Sequence, residues 1–338
     1  MLSIVTGGAG FIGCNTVKRC LDAGWEVVVV DDLSRKGADK NLARLQTQGK
    51  FTFYKCDIRD PAAIDAVFRE HRRADAVVHL AAQVAVTTSV THPRHDFEVN
   101  AGGTFNVLEA ARAHAPGAAF LYSSTNKVYG GLEHLGVEEK NGRWQYRDRP
   151  GGVSEAEPLD FHSPYGCSKG AADQYVRDYA RIYGMKTVCL RQSCIYGRRQ
   201  FGVEDQGWVA WFTIATAKQQ PISIYGDGKQ VRDVLFVDDL VDCFLAAIER
   251  IDQIKGRVYN IGGGPGNVLS LHQLIEKLEQ LGGRKIERSY QAWRPGDQKV
   301  FVCDVSKAER ELGWKPRTSI GAGVETLHAW VSQNIDLF

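Results

Sequence analysis

The amino-acid sequence predicts an α/β fold in which a doubly wound parallel sheet is followed by a smaller C-terminal lobe. In the first half of the chain, short apolar runs alternate with helical patterns, as in parallel sheets that carry helices on both faces. After about Tyr196 this alternation loosens, and frequent Gly and Pro indicate loops with a few helices between them. The predicted strands, in chain order, are "LSIV" (Leu2–Val5), "EVVVVD" (Glu26–Asp31), "FTFYKC" (Phe51–Cys56), "AVVHL" (Ala76–Leu80), "AFLYS" (Ala119–Ser123) and "TVCL" (Thr187–Leu190).

The 338 residues are enough for one large domain or for a large domain with a smaller lobe. We expect residues 1–190 to form the sheet domain and residues 191–338 to form mainly the lobe, with some chain crossing back to the sheet. A long polar insertion, residues 130–160, is expected to fold over one rim of the sheet. A lobe that faces the strand ends leaves a cleft at the switch point of the sheet, where such folds bind ligands.

The composition is that of an ordinary globular protein, with 43% apolar residues, 24% charged residues and a formal net charge of +2. This balance does not indicate a nucleic-acid or membrane partner. The start of the chain does not resemble a secretory signal, and no run approaches 18 apolar residues, so we expect a cytoplasmic protein. The eight cysteines are scattered without a CxxC pair, which favours a reducing compartment and gives no support for a metal site.

A glycine-rich turn, "TGGAGFIG", follows the first predicted strand and opens a helical pattern. Gly7, Gly10 and Gly13 stand where strand becomes helix, with Phe11 and Ile12 between the last two. Glycines there allow a tight turn and a close approach of the backbone to a pyrophosphate, and the start of the helix favours negative charge. The pattern predicts a Rossmann-like dinucleotide site.

Asp31 ends the second predicted strand, 18 residues after Gly13, where a carboxylate can accept hydrogen bonds from an adenosine ribose. Because that carboxylate would repel a 2′-phosphate, the sequence predicts NAD rather than NADP. The neighbouring residues Asp32, Ser34 and Arg35 are predicted to lie at the same site, and Ser34, Arg35 and Lys36 could weaken the preference for NAD. After the third strand, Asp57 and Ile58 either contact the adenine or cap the strand end.

Tyr165 and Lys169 stand four residues apart in "DFHSPYGCSK", just before an amphipathic run over residues 170–183. On a helix they would lie one turn apart on the same face. A phenol has a pKa of about 10 and is a poor base at neutral pH unless a nearby cation favours its ionised form. The pair therefore predicts a general base made from a tyrosine.

The glycine turn, "HLAAQ" at 79–83, "SSTNKVYG" at 123–130 and "YGCSK" at 165–169 occur in an order that resembles the extended short-chain dehydrogenase/reductase family over nearly the whole chain. The resemblance implies that Tyr165 is the acid/base. It also implies that Lys169 lowers the pKa of that tyrosine and holds the nicotinamide ribose, and that Thr125 assists at the substrate hydroxyl. Further contacts to a tightly bound NAD are expected from Leu80, Ala81, Ala82, Gln83, Asn100 and Ser123.

Many members of this family dehydrate nucleotide sugars and carry Asp-Glu directly after the active-site Thr. This chain has Asn126-Lys127 there, and an amide and an ammonium cannot supply the missing acid and base, so a 4,6-dehydratase is disfavoured. Longer stretches, among them "RQFGVEDQGWVAWF" and "GKQVRDVL", resemble one subgroup, the CDP-paratose 2-epimerases. The resemblance implies epimerisation of a CDP-sugar at C2 through a 2-keto intermediate. A UDP- or CDP-hexose 4-epimerase remains an alternative, as does a non-catalytic NAD-binding regulator.

The substrate site is also inferred from the resemblance. Arg232 and Arg294 match positions that hold the substrate diphosphate in nucleotide-sugar relatives, and a guanidinium suits that task; surface ion pairs with Asp233 and Asp297 are the alternative. The other predicted substrate contacts are Thr125, Asn126, Lys127, His162 and Gln200. His162 and Cys167 flank Tyr165 and have either a pocket or a packing role, and Cys194 stands where many 4-epimerases have a nucleotide-binding asparagine. Relatives are usually homodimers or homotetramers, with residues 100–113 and 171–183 as candidate interface helices.

Overall fold

The computed structural model describes residues 1–294 and 297–338. The strands are β1 (Leu2–Thr6), β2 (Glu26–Asp31), β3 (Thr52–Lys55), β4 (Ala76–His79), β5 (Ala119–Thr125), β6 (Val137–Lys140), β7 (Arg143–Tyr146), β8 (Lys186–Gln192), β9 (Cys194–Tyr196), β10 (Ile222–Tyr225), β11 (Val231–Phe236), β12 (Val258–Ile261), β13 (Val268–Ser270), β14 (Arg288–Gln291) and β15 (Val300–Phe301).

The α-helices are α1 (Phe11–Asp22), α2 (Ala38–Gln46), α3 (Pro61–Glu70), α4 (Val86–Thr91), α5 (Pro93–Phe97), α6 (Gly103–His114), α7 (Ser163–Tyr183), α8 (Trp208–Ala217), α9 (Val237–Glu249), α10 (Ile251–Ile254), α11 (Leu271–Gly282), α12 (Ser306–Leu312) and α13 (Ile320–Gln333). A π-helical turn spans Glu98–Gly102, and 3₁₀ turns span Asn126–Tyr129 and Ile335–Leu337.

The central sheet is parallel and has the strand order β12-β8-β5-β4-β1-β2-β3. Its central strands are buried on both faces, which explains why the valine run of β2 is continuous rather than alternating. The six strands predicted from sequence are all present, with ends that differ by at most two residues. The predicted doubly wound α/β fold is confirmed, and its switch point lies between β1 and β4.

Helices cover both faces of this sheet. Side chains of α1, α9 and α12 pack on one face around Val5, Val29 and Leu190. Side chains of α3, α6 and α7 pack on the other face around Ile4 and Phe120. The sheet thereby holds the start of α1 and the start of α7 near the carboxyl ends of the strands.

Helix α7 starts earlier than the predicted helical run, at Ser163 rather than near Gly170. Pro164 occupies its first turn, where a missing N–H costs nothing and the fixed φ of proline suits a helix. Tyr165 and Lys169 therefore both lie on α7, one turn apart as expected.

The smaller lobe is built around α8, α11 and α13, whose apolar side chains pack with those of β10 and β11. Strand β12 returns from this part of the sequence to the central sheet and pairs with β8. The insertion over residues 130–160 forms the β6–β7 hairpin and packs on the lobe, where the Tyr146 hydroxyl donates to the Val300 carbonyl at 3.1 Å. In the described ranges, no helix combines the length and the hydropathy needed to cross a membrane.

Candidate active site

A cavity of about 750 Å³ opens at the carboxyl ends of the sheet strands and extends to the lobe. All but two of the residues predicted for the site line its wall. They are Gly7, Gly10, Phe11, Ile12, Gly13, Asp31, Asp32, Ser34, Arg35, Asp57, Ile58, Leu80, Ala81, Ala82, Gln83, Ser123, Thr125, Asn126, Lys127, Tyr165, Lys169, Gln200, Arg232 and Arg294. Asn100 and His162 lie outside it.

The glycine turn forms the floor of the cavity at the start of α1. Gly7 has a φ of +68°, and a Cβ on it would stand 2.7 Å from the Ala81 nitrogen, so only glycine fits. A Cβ on Gly13 would overlap the Gly7 carbonyl oxygen. Gly10 caps α1 without a side-chain hydrogen bond, which leaves the first N–H groups of the helix available to an anion.

Asp31 is buried at the end of β2, and backbone groups hold its carboxylate in place. Its Oδ2 accepts from the Ala9 N–H at 2.9 Å, and its Oδ1 accepts from the Leu33 N–H at 2.8 Å. Burial raises the pKa of Asp31, while these backbone hydrogen bonds oppose the rise. Each oxygen can still accept a further hydrogen bond, as a ribose hydroxyl would donate.

Asn100 lies behind the cavity wall because its side chain is used to hold the "HLAAQ" loop. Its Oδ1 accepts from the Gln83 N–H at 2.9 Å, and its Nδ2 donates to the Gln83 carbonyl at 3.0 Å. Nδ2 also donates to the Ser168 hydroxyl at 3.1 Å, and that hydroxyl donates to Asp96. Asn100 thereby joins the loop after β4 to the helix that carries Tyr165.

Tyr165, Lys169 and Thr125 meet in the middle of the cavity and are all buried. Lys169 Nζ donates to the Ser123 carbonyl oxygen at 2.6 Å and lies 4.3 Å from the centre of the Tyr122 ring. Thr125 ends β5, and its Oγ1 accepts from the Lys127 N–H at 3.2 Å. Sequence positions 40 residues apart are thus brought into one group.

The pKa values of this group reflect its burial. Burial raises the pKa of Tyr165 to about 12, a hydrogen bond with Thr125 opposes the rise, and the charge of Asp96 adds to it. Burial lowers the pKa of Lys169 to about 7, and the charges of Asp173 and Asp96 oppose that fall. Lys169 was expected to lower the pKa of Tyr165, but its ammonium donates to the Ser123 carbonyl and burial raises the pKa of Tyr165 instead. The lowering of the Tyr165 pKa by Lys169 stays a prediction.

A buried ion pair beneath the group was not predicted from sequence. Arg191 on β8 donates two hydrogen bonds to Asp173 on α7, from Nε at 3.0 Å and from Nη2 at 2.9 Å. Ser124, next to Thr125, donates to the same carboxylate at 2.7 Å. The pair fixes the end of β5 against the helix that carries Tyr165 and Lys169.

Lys127 lines the cavity from the turn after β5, and Arg232 and Arg294 line it from the lobe. Burial lowers the pKa of Lys127 to about 8, and the charge of nearby Arg232 adds to this fall. Arg232 Nη2 lies 3.9 Å from Asp297 Oδ1, whereas Asp233 is buried and accepts from Ser193 and Cys303 instead. All three cations line the same cavity as Tyr165.

Arg294 pairs with Asp205, not with Asp297, at a distance of 3.0 Å between Nη2 and Oδ1. Its guanidinium lies 3.8 Å from the centre of the Tyr225 ring. Pro295 and Gly296, which follow Arg294 in the sequence, lie outside the described residues.

The remaining predicted residues have different surroundings. Gln200 is buried in the cavity wall, and its Oε1 has no hydrogen-bond partner in the described part of the chain. His162 lies at the surface and pairs with Asp160 at 2.9 Å, and exposed Cys167 contacts the Phe161 carbonyl. Cys194 lines the cavity and accepts from the Trp208 indole N–H at 3.1 Å.

Several lining residues were missed by sequence reasoning, among them Gln192, Arg199, Tyr225 and Gln230. Tyr225 ends β10, and Gln192 ends β8. A polar residue at the end of an apolar strand is the signal that could have identified Gln192, because strand ends meet at the ligand edge of such a sheet.

Comparisons with known proteins agree with this architecture. A profile of the NAD dependent epimerase/dehydratase family matches residues 3–262. The chain is 44% identical to a CDP-paratose 2-epimerase from Salmonella typhi, over 98% of this chain and 99% of the relative. A solved UDP-glucose 4-epimerase with UDP-glucose, from Thermotoga maritima, superposes with a TM-score of 0.85 at 33% identity, over 99% of this chain and all of that one. A UDP-glucose 4-epimerase in complex with NAD, from Thermus thermophilus, gives a TM-score of 0.80 at 31% identity, with 98% of each chain covered.

Proposed function

Because the chain belongs to the NAD dependent epimerase/dehydratase family, we propose that it is an epimerase that inverts C2 of the sugar in a CDP-sugar. CDP-paratose and its C2 epimer, or a related CDP-hexose, are the proposed substrate pair. The observation that carries the proposal is one cavity that joins the predicted dinucleotide site to Tyr165, Lys169 and Thr125 and that is also lined by Lys127, Arg232 and Arg294. The similarity to a CDP-paratose 2-epimerase over the full length supports the choice of nucleotide and carbon.

The residues of the cavity fit NAD. Gly7 and Gly13 allow the close backbone packing of the turn before α1, where a Cβ would collide with Ala81 or with the Gly7 carbonyl, and the free N–H groups at the start of α1 suit a pyrophosphate. The buried Asp31 carboxylate suits the adenosine ribose, and Lys169, which lines the same cavity, would donate to the other ribose. NAD, when bound, brings positive charge into the cavity and accepts a hydride that it later returns.

Tyr165 acts as the acid/base of the proposed reaction. Its phenolate takes the proton of the C2 hydroxyl as the C2–H bond gives up a hydride and a C2=O bond forms. The 2-keto sugar then turns in the cavity, the hydride returns to the opposite face of C2, and Tyr165 gives back the proton. No net oxidation occurs. Thr125, whose hydroxyl opposes the rise in the pKa of Tyr165, shares the substrate hydroxyl.

Lys127 and Asn126 occupy the wall position where a dehydratase needs a carboxylic acid and a carboxylate. An ammonium with a pKa near 8 and a neutral amide cannot expel water from the sugar in that way, so the observed wall favours epimerisation. Arg232 and Arg294 line the same cavity and are proposed to hold the diphosphate, for which guanidinium groups are suited.

The second candidate is a 4-epimerase of UDP- or CDP-hexoses, because the same Tyr, Lys and Thr would serve and solved structures with that activity share the fold. Turnover on a panel of CDP- and UDP-sugars, with products identified by NMR, separates the two. Inversion at C2 of a CDP-sugar supports the proposal, inversion at C4 replaces it with the second candidate, and no turnover by NAD-loaded protein would favour a regulator.

We also propose a homodimer or homotetramer. Exposed aromatic and aliphatic side chains cluster on α6 and α7, where Phe105 is 43% exposed, Tyr175 is 50% exposed and Ile182 is 67% exposed. Apolar surface of this kind favours contact with a second subunit. Sizing chromatography that shows a monomer at assay concentration would contradict this assembly.

Two further proposals concern organisation. We propose that residues 1–190 form the NAD-binding domain with the catalytic helix, and that residues 191–338 mainly bind the nucleotide sugar. We propose a cytoplasmic location, which the eight unpaired cysteines of the described structure support.

A further inference from the structure

Gln192 is a polar residue at the carboxyl end of β8, beside the active-site Thr125. The sheet register pairs the Cα atoms of Gln192 and Thr125. Paired residues of neighbouring parallel strands carry their side chains on the same face, with the strands about 4.8 Å apart. Both residues line the cavity. Gln192 therefore lies one strand away from the Thr125 hydroxyl, which lines the cavity together with Tyr165.

The side chain of Gln192 has no hydrogen-bond partner for its buried Nε2 within residues 1–294 and 297–338. The residue is only 6% exposed. An amide N–H that is removed from water without a partner is costly, and native proteins rarely leave one so. Val188 and Leu190, which share its face of β8, show that apolar side chains suit this row of the sheet. The free amide at Gln192 therefore indicates a ligand that supplies the missing partner.

The chemistry of the position fits an oxygen of the sugar. An amide can donate from nitrogen to a keto oxygen and can accept at oxygen from a hydroxyl, so it can serve both the alcohol and the ketone of an epimerisation. Thr125, Asn126 and Lys127 line the cavity nearby, at the same end of the sheet. Arg232 and Arg294, which are proposed to hold the diphosphate, come from the lobe instead. Gln192 therefore lies near the sugar and not near the diphosphate of the substrate.

We propose that Gln192 is a specificity-determining residue that hydrogen bonds, through its side-chain amide, an oxygen of the sugar undergoing epimerisation. The inference rests on the proposed function only in taking a nucleotide sugar as the ligand. The inference applies whether C2 or C4 of the sugar is inverted and whether the nucleotide is CDP or UDP. Because the partner is on the sugar, the nucleoside diphosphate alone does not use Gln192.

The test compares sugar nucleotides with the matching diphosphates on NAD-loaded protein. Gln192→Met keeps the length of the side chain and removes the amide. Calorimetry should show that it binds CDP-glucose, or UDP-glucose if the wild type prefers it, about 5- to 10-fold more weakly than the wild type, the scale of one lost hydrogen bond. Binding of CDP or UDP should be unchanged. Gln192→Glu, which cannot donate, should show the same split if the Met protein folds poorly.

Gln48→Met is the matched control, because Gln48 also has a buried amide atom without a partner and does not line the cavity. It should leave all four affinities unchanged. An unchanged affinity of the Gln192 variants for the sugar nucleotide, or an equal loss for the diphosphate, would overturn the assignment. So would a wild type that binds sugar nucleotides no better than the diphosphates. Failure of C2 turnover would instead contradict the proposed function and leave this comparison valid.

Discussion

Lys169 Nζ donates a hydrogen bond to the backbone carbonyl of Ser123 at 2.6 Å, which ties the catalytic helix α7 to the end of strand β5. Ser123 stands two residues before Thr125 on the same strand. This contact therefore holds Lys169 next to the strand that carries the Thr125 hydroxyl. Lys169 is thereby placed beside Tyr165 with its ammonium buried, and its pKa falls to about 7 because of that burial.

Replacing Lys169 with Met should remove both the cation near Tyr165 and a donor to the nicotinamide ribose. Turnover should fall, NAD retention should weaken, and residual activity should require more alkaline conditions, because a nearby cation favours the ionised phenol. Rates across pH and NAD released from denatured protein measure these effects. A wild-type rate and pH dependence would show that Lys169 does not assist Tyr165.

Replacing Tyr165 with Phe should separate chemistry from binding. The ring remains to fill its buried site, but the acid/base is lost, so turnover should fall by about 10²- to 10⁴-fold while NAD stays bound. Activity assays and the dinucleotide recovered after denaturation are the measurements. Near-wild-type turnover of the Tyr165→Phe variant would show that Tyr165 is not the acid/base.

Thr125 should set the pH at which Tyr165 works. Burial raises the pKa of Tyr165 and the Thr125 hydroxyl opposes that rise. A base must be ionised to act, so activity should rise with pH, and Thr125→Val should shift this rise to higher pH. Thr125→Ser keeps the hydroxyl and should leave the profile near that of the wild type. Equal pH profiles of kcat/KM for the Val and Ser proteins would contradict this role.

The ion pair of Arg191 and Asp173 should matter for stability. Asp173→Leu leaves a buried guanidinium without its partner, which should lower the free energy of unfolding by about 3–5 kcal/mol. The double variant Asp173→Leu with Arg191→Leu should lose less, because no charge is then left unpaired. Urea unfolding measures both, and a double variant less stable than the single one would contradict the argument.

The sequence predicted the features that depend on local pattern. The valine run of β2, the glycines after β1 and the spacing of Tyr165 and Lys169 each report local geometry, and the structure contains the corresponding strand, turn and helix. Features that depend on distant partners were not predicted. The sequence does not reveal that the Asn100 side chain binds the backbone of Gln83, 17 residues away, and the contact of Asn100 with NAD stays a prediction.

Side-chain direction explains the other differences. The sequence places an ammonium near Tyr165, but only the fold shows that the ammonium points at Ser123 and that burial dominates the tyrosine pKa. The pairing of Asp173 with Arg191 and the placement of Gln192 beside Thr125 depend on the register between β5 and β8. The ion pair leaves no local signal in the chain, and the only local signal of Gln192 is that it is a polar residue at the end of an apolar strand.

The isotope effect of substrate deuterated at C2 tests the central claim most directly. Because the proposed reaction breaks the C2–H bond and returns the same hydride, CDP-glucose deuterated at C2 should react with a primary isotope effect and give an epimer that keeps its deuterium at C2. The same sugar deuterated at C4 should react at the ordinary rate. An isotope effect only with the C4-deuterated substrate, or loss of the C2 deuterium to water, would contradict C2 epimerisation by hydride transfer.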